Sequence, residues 1–548
     1  MTVQTQTQLT LEQAIGQKLL VSFIGTEPAP EILALLERQP IAGITLFRAD
    51  NVSNPAQVRS LIAALQAAAA ANNHPPLLIA ADQEGGQLIA VDGGAQFPGN
   101  LALGATGSTE LAFQTGYALG RELAAMGINV NYAPACDVNI NPQNPVIGTR
   151  SFGEDPQLVA RLGAAMIQGM QAAGVAATAK HFPGHGDTDS DTHDGIAVVA
   201  HSRDRLRQVE IPPFVAAIEA GVRLVMSAHI AFPAYDNGTP LPATLSPALI
   251  RGLLRDELGF GGVVISDALD MGAIAQGPDL VIDALASTLA GVDLLLLKND
   301  PIAHQNVYSG LLHAARRSLL DPADVLASAE RVLALKSWLS QQSQPPLEVI
   351  GSSAHQALAC EIAARSITLV RDDANLLPLQ LAPTARVAVV VPQTADLTPA
   401  DTSSYVSCRL ADSVRGLHAA TDEFLVPVEP ASSDIDGLCG RIAAYDLVIV
   451  GTINAAAQPG QAALVNAILD CGVPTIVAAL RMPYDLTVYP SAPTYICTYS
   501  ILDPAVDTLA QALWGRIPFG GRLPVSIPGL YPLGHGLAAQ ERSAYAPA

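Results

Sequence analysis

From about residue 15 to 335 the chain keeps exchanging short apolar runs for longer Ala/Leu-rich stretches with helical spacing. Strand-like runs fall at 43–47, 77–80, 130–133, 175–179, 224–227, 263–266 and 292–297, with helical stretches such as 58–71 and 158–173 between them. Strands that alternate with helices specify a parallel sheet, because each helix carries the chain back to start the next strand in the same direction. Seven or eight such units over about 320 residues predict a TIM-type (β/α)8 barrel rather than an open sheet. Polar clusters follow most of the runs: Asp82-Gln-Glu-Gly-Gly86, Asp137-Val-Asn139, Lys180-His181, His229 and Asp267. Barrel enzymes carry their chemistry at this C-terminal end of the strands.

A helix over 321–339, with Asp321 as cap and Pro322 in its first turn, is expected to close this unit. The polar, Pro-containing stretch 340–346 then reads as a linker. A second alternating unit follows, with strands near 387–391, 447–450, 475–479 and 494–498. The expected fold class is thus α/β: a barrel over 1–339, a linker over 340–346 and a smaller α/β sandwich over 347–548.

Composition removes several classes of function. A formal net charge of −21 argues against nucleic acid or an anionic membrane surface as the main partner. No long uninterrupted apolar run predicts a membrane span, and the Thr/Gln-rich first residues lack the pattern of a signal peptide, so a cytoplasmic location is expected. The six cysteines are far apart and form no Cys-x-x-Cys pair, so buried free thiols are expected. No glycine-rich phosphate loop appears, and no cofactor is expected.

The densest chemistry lies at 180–195, where three histidines, four aspartates and one of the chain's four lysines share sixteen positions. His181 and His185 have the spacing of a zinc helix, but Pro183 and Gly184 between them exclude a helix. Asp187, Asp189 and Asp191 alternate as in a calcium loop, yet Thr192 and Val198 stand where that loop needs Gly and Glu. No metal site is therefore expected. Asp191 and His193, two positions apart, suit acid–base work: the carboxylate can orient the imidazole and raise its pKa towards neutral. In 261–267 an apolar run ends on Asp267, which could be a nucleophile, a metal ligand or a helix cap. Asp82 could cap a helix or accept a sugar hydroxyl, and Arg150 could simply pair with Glu154 or Asp155.

Four motifs occur in order: Asp82-Gln-Glu-Gly-Gly86, Gly148-Thr-Arg-Ser-Phe-Gly153, Lys180-His-Phe-Pro-Gly-His-Gly-Asp-Thr188 and Ser266-Asp-Ala-Leu-Asp-Met271. Together they resemble family 3 glycoside hydrolases, in particular the β-N-acetylglucosaminidases of bacterial cell-wall recycling. The resemblance spans nearly the whole chain, from a helical-looking stretch around 15–19 to Gly521-Arg-Leu-Pro-Val-Ser-Ile-Pro528.

That resemblance implies a retaining, exo-acting β-N-acetylglucosaminidase that forms a covalent glycosyl-enzyme and acts on fragments such as those of peptidoglycan. It makes Asp267 the nucleophile and His193, with Asp191, the acid/base. It makes Asp82, Arg150, Lys180 and His181 sugar contacts, with Asp137 and Met226 as further substrate-binding candidates. A phosphorylase, a β-glucosidase or a β-xylosidase of the same family, or a silent sugar-binding protein, remains the alternative reading. The sequence departs from the family at Gln87, where Arg is usual, and this leaves open what holds the adjacent loop. The second unit is expected to pack on the barrel and narrow its cleft without a catalytic group of its own.

Overall fold

The computed structural model describes residues 9–189, 195–274 and 280–537. Eight strands form one parallel sheet: β1 (Leu19–Val21), β2 (Gly43–Thr45), β3 (Leu78–Ala81), β4 (Val130–Asn131), β5 (Ala176–Phe182), β6 (Leu224–Ser227), β7 (Val263–Ser266) and β8 (Leu295–Leu297). Their spatial order is β7-β6-β5-β4-β3-β2-β1-β8. A parallel bridge between Ile265 and Leu294 joins the two ends, so the sheet is a nearly closed barrel. The barrel predicted from the alternation is the one observed.

The interior shows why the site lies where it does. Successive side chains of a strand point to opposite faces, so every second residue faces the barrel axis. Leu78 and Ala80 of β3, Val130 beside Tyr132, Leu224 and Met226 of β6, Val263 and Ile265 of β7, and Leu294 and Leu296 along β8 form one buried cluster. The next residue of the same parity is Asp82 after Ala80, Asp267 after Ile265 and Lys298 after Leu296. On β5, Ala176 and Thr178 lead in the same way to Lys180. The apolar rows thus fill the barrel, and their last members carry charge at its mouth.

Two local readings are corrected. The stretch around 15–19 is not one helix: the helix Leu11–Gly16 ends at its cap Gln17, and Leu19–Val21 is β1. A three-residue strand is too short to show a period of two. β5 also runs on through Lys180 and His181 to Phe182, so these two residues stand on a strand end rather than in the loop after it.

The helix Pro322–Leu339 follows the barrel, with the Asp321 carboxylate accepting from Ala323 N at 2.9 Å. Six further strands form a second sheet: β9 (Thr368–Asp372), β10 (Val387–Pro392), β11 (Thr421–Val426), β12 (Leu447–Thr452), β13 (Thr475–Ala479) and β14 (Thr494–Cys497), in the order β9-β14-β13-β12-β10-β11. All neighbours are parallel except β9 with β14. Helices pack on this sheet, as the sandwich reading requires. Its two edges, β9 and β11, were not anticipated. The cysteines are free, but only Cys136, Cys408 and Cys497 are buried, while Cys360 is exposed. No helix among the described residues is long and apolar enough to cross a membrane.

Candidate active site

A cavity of about 370 Å³ opens at the C-terminal mouth of the barrel. Asp82, Arg150, Lys180, His181, Met226 and Asp267 all line it. Residues more than 180 positions apart in sequence meet here because each ends, or follows, a barrel strand.

Its floor is an ion network. Glu84 is buried and accepts from Arg150 Nε at 2.9 Å and Arg150 Nη2 at 2.7 Å. Lys180 Nζ lies 2.6 Å from Glu84 Oε1 and 2.6 Å from Asp82 Oδ1. Burial alone would favour neutral Glu84, but Arg150 and Lys180 hold its carboxyl well below the usual range. Burial opposes the charge of Lys180, yet Asp82 and Glu84 keep its pKa above the ordinary lysine value. The network presents two fixed cations and the Asp82 carboxylate, a set able to donate to and accept from sugar hydroxyls. Glu84 touches both cations but is not among the cavity-lining residues. The sequence carried it inside the Asp82 motif without marking it as a site residue.

Arg150 does not pair with its sequence neighbours. Glu154 accepts from Ser526 N at 2.9 Å, and Asp155 caps the helix Pro156–Ala172. Asp82 caps no helix either, since Gln83–Gly85 is a short strand.

Asp137 is fully buried beneath His181 rather than in the cavity wall. It accepts from the His181 ring Nδ1 at 2.8 Å, from His181 N at 3.1 Å and from His185 N at 2.7 Å. The carboxylate thereby sets the His181 tautomer, with Nδ1 as donor. Burial works against its ionisation, but His181 and His185 draw its pKa below the usual value. His185 also lines the cavity, and burial, with His181 beside it, lowers its pKa to about 4.

Asp267 follows β7 and accepts from Ala268 N at 2.8 Å. No helix starts there; the residues that follow are turns. Desolvation raises its pKa, but His229, His181, the Ala268 N–H and Lys180 together pull it below the ordinary aspartate value. The group is therefore a carboxylate at neutral pH. His229 is fixed between Thr244 Oγ1 at 2.8 Å and Ala268 O at 2.9 Å. The expected acid/base pair, His193 and Asp191, lies outside the described residues. No cluster of three or more metal-ligating side chains occurs among the described residues.

The outer wall comes from the second sheet unit. Asp396, Pro399, Ala400, Asp401, Thr402 and Tyr405, in the connection after β10, line the cavity. None of Asp372, Asp373 and Asp412 does. Asp401 is buried and ion-paired to Arg481 Nη2 at 2.8 Å. The connection is clasped to the loop that carries Gln87. Thr402 N donates to Gln87 O at 2.9 Å, Ile89 N donates to Thr402 Oγ1 at 2.9 Å, and Gln87 Nε2 donates to Ala400 O at 3.2 Å. Gln87 Oε1 also accepts from Thr149 at 2.6 Å. An amide offers both N–H donors and an oxygen acceptor, which suits these two partners, so hydrogen bonds to Thr149 and Ala400 hold the loop where the family usually has Arg.

Comparison with known proteins agrees with this geometry. Residues 10–335 match the glycosyl hydrolase family 3 N-terminal domain. The chain is 32% identical to "Beta-hexosaminidase A" of Pseudoalteromonas piscicida, over 95% of this chain and 98% of the relative. It is 30% identical to "Beta-N-acetylglucosaminidase/beta-glucosidase" of Cellulomonas fimi, over 94% of this chain and 93% of the relative. Among solved structures, the family 3 β-N-acetylglucosaminidase of Paenibacillus sp. str. FPU-7 superposes with a TM-score of 0.90 at 37% identity, covering 95% of this chain and 99% of that one. With the fold, the charged cavity and these relatives in agreement, the chain belongs to glycosyl hydrolase family 3 and is a glycoside hydrolase.

Proposed function

We propose that this protein is a retaining exo-β-N-acetylglucosaminidase. Asp267 attacks the anomeric carbon of a terminal β-linked N-acetylglucosamine, and the bond to the leaving oxygen breaks as His193 gives that oxygen its proton. The resulting glycosyl-enzyme is opened by water, with His193, oriented by Asp191, now accepting the proton. Asp82, Arg150, Lys180 and His181 hold the ring hydroxyls. Met226 supplies an apolar contact, and Asp137 acts through His181. In this reading residues 1–339 form the catalytic barrel, 340–346 a linker, and 347–548 a unit that shapes the cleft.

The observation that carries the proposal is the state of Asp267: a carboxylate kept ionised at the barrel mouth, with Lys180, His181 and the fixed His229 imidazole around it. A nucleophile must be anionic before substrate arrives, and the surrounding positive charge keeps it so. The names of the relatives supply the sugar. One of them pairs N-acetylglucosaminidase with β-glucosidase activity, which makes a β-glucoside the competing substrate class.

The test compares an aryl N-acetyl-β-glucosaminide with the matching aryl β-glucoside, each with and without inorganic phosphate. Phosphate-independent release of N-acetylglucosamine from the first is expected. Release from the glucoside alone would refute the sugar assignment, and phosphate-dependent formation of a sugar phosphate would make the protein a phosphorylase.

A further inference from the structure

The mouth of the cavity contains an aromatic ring that the proposed chemistry does not use. Tyr405 lines the cavity and stays 52% exposed, an unusual position for a large ring in this chain. The guanidinium of Arg48 lies over one face, with Cζ 4.4 Å from the ring centroid. Such a contact fixes the ring plane without covering its other face. The segment that bears Tyr405 is itself anchored, by the buried pair of Asp401 and Arg481 and by the clasp between Thr402 and Gln87. Pro399, Ala400, Phe47, Ala49 and Leu88 add apolar lining to the cavity.

Among the described residues, the Arg and Lys side chains that line this cavity are already engaged. Arg48 Nη1 donates to Ile89 O at 3.0 Å, and its Nη2 faces Asp92 at 3.4 Å. Lys298 pairs with Asp270 at 3.2 Å. Arg150 and Lys180 belong to the Glu84 network. A carboxylated leaving group would therefore find each of these cations already paired, beside an exposed Asp396. A neutral pyranose needs no counter-ion, and the C–H face of its ring suits the electron-rich face of an aromatic ring.

We propose that Tyr405, backed by Arg48, is the stacking platform for the leaving sugar, and that this sugar is a neutral pyranose such as a second N-acetylhexosamine rather than a carboxylate-bearing one. The inference rests on the glycosidase reading above and adds the class of its leaving group. Because these contacts hold the platform before substrate arrives, little ordering entropy opposes stacking.

The test measures kcat/KM for three substrates: N-acetyl-β-glucosaminyl fluoride, whose leaving group is too small to stack, N,N′-diacetylchitobiose, and the N-acetylglucosaminyl-N-acetylmuramic acid disaccharide. Wild type, Tyr405→Ala and Tyr405→Phe are compared. The wild type should prefer the neutral disaccharide to the acidic one. In Tyr405→Ala the chitobiose-to-fluoride ratio should fall about tenfold, mainly through KM, whereas Tyr405→Phe should keep the wild-type ratio. Fluoride cleavage with an unchanged ratio in Tyr405→Ala, or preference for the muramic acid disaccharide, overturns this inference alone. No release from any of the three substrates overturns the glycosidase reading and this inference with it.

Discussion

Replacing Glu84 with Gln tests whether charge, rather than shape, holds the sugar-binding floor. The side chain is almost isosteric, so packing is kept, while the charge is lost and one acceptor oxygen becomes an N–H2 facing a cationic donor. Two cations lie within 3 Å of the carboxylate oxygens, with Lys180 at 2.6 Å and Arg150 at 2.7 Å. At an effective dielectric near 20, each pair contributes about 4 kcal/mol of attraction. Desolvation of three ions offsets much of this sum. What the substitution removes is the compensation: Lys180 keeps its pair with Asp82, while Arg150 loses the carboxylate it is paired to. Breaking a buried network in this way costs about 3–5 kcal/mol.

The pH dependence identifies the cause. Glu84 has a folded pKa depressed below its ordinary value of 4.5. Its stabilising contribution is thus complete above that value and is lost as pH falls through it towards the folded pKa. Urea unfolding of wild type and Glu84→Gln should differ by that amount at neutral pH, and the difference should shrink at about pH 4 and below. In parallel, kcat/KM should fall at least about 100-fold, because Lys180 and Arg150 lose their fixed positions. Equal stability of the two proteins at neutral pH, or a gap that does not change on acidification, would refute the electrostatic account.

Three further outcomes follow from the same geometry. Asp267→Asn should lower turnover of an aryl N-acetyl-β-glucosaminide by about 1000-fold or more while leaving the unfolding curve near that of wild type, as steady-state kinetics and circular dichroism would register. Asp137→Asn keeps one oxygen that can still accept from both backbone N–H groups, but it turns an N–H2 towards the His181 ring and removes the charge that sets its tautomer, so kcat/KM should drop about 10–100-fold with a smaller change in stability. Lys336→Met should stabilise the fold. Lys336 Nζ is buried without a hydrogen-bond partner, and burial lowers its pKa to about 7 from 10.5. The folded state therefore binds this proton more weakly than the unfolded chain does. The penalty begins as pH falls below 10.5, grows down to about 7 and is then constant, so the advantage of the variant should reach a few kcal/mol at neutral pH and vanish at high pH.

The strands most legible in the sequence were those buried on both faces. Leu224–Ser227, Val263–Ser266 and Thr475–Ala479 have the spans their apolar runs suggested. The strands missed in the second unit are its two edges. Thr421–Val426 exposes Asp422, Glu423 and Leu425, and Thr368–Asp372 ends in half-exposed charge. An edge strand meets solvent along one side, so its sequence lacks the continuous apolar signal of a central strand. The same limit applied at the site. Asp82, Arg150, Lys180, His181 and Asp267 stood in recognisable motifs at strand ends. Tyr405, Arg48 and the Asp401–Arg481 pair had no such marker, because their place at the cavity depends on how the second sheet docks.

The sequence by itself determined the alternation that makes a parallel barrel, the charged residues at the ends of its inward-facing rows, and the family. Those follow from local periodicity and motif spacing, which neighbouring residues encode together. Tertiary structure alone decided that Glu84 binds both cations, that Asp137 stands behind His181, and that a connection near residue 400 walls the cavity. Each of those contacts joins positions 44 to more than 300 residues apart. Only closure of the barrel and docking of the second sheet bring them within hydrogen-bonding distance.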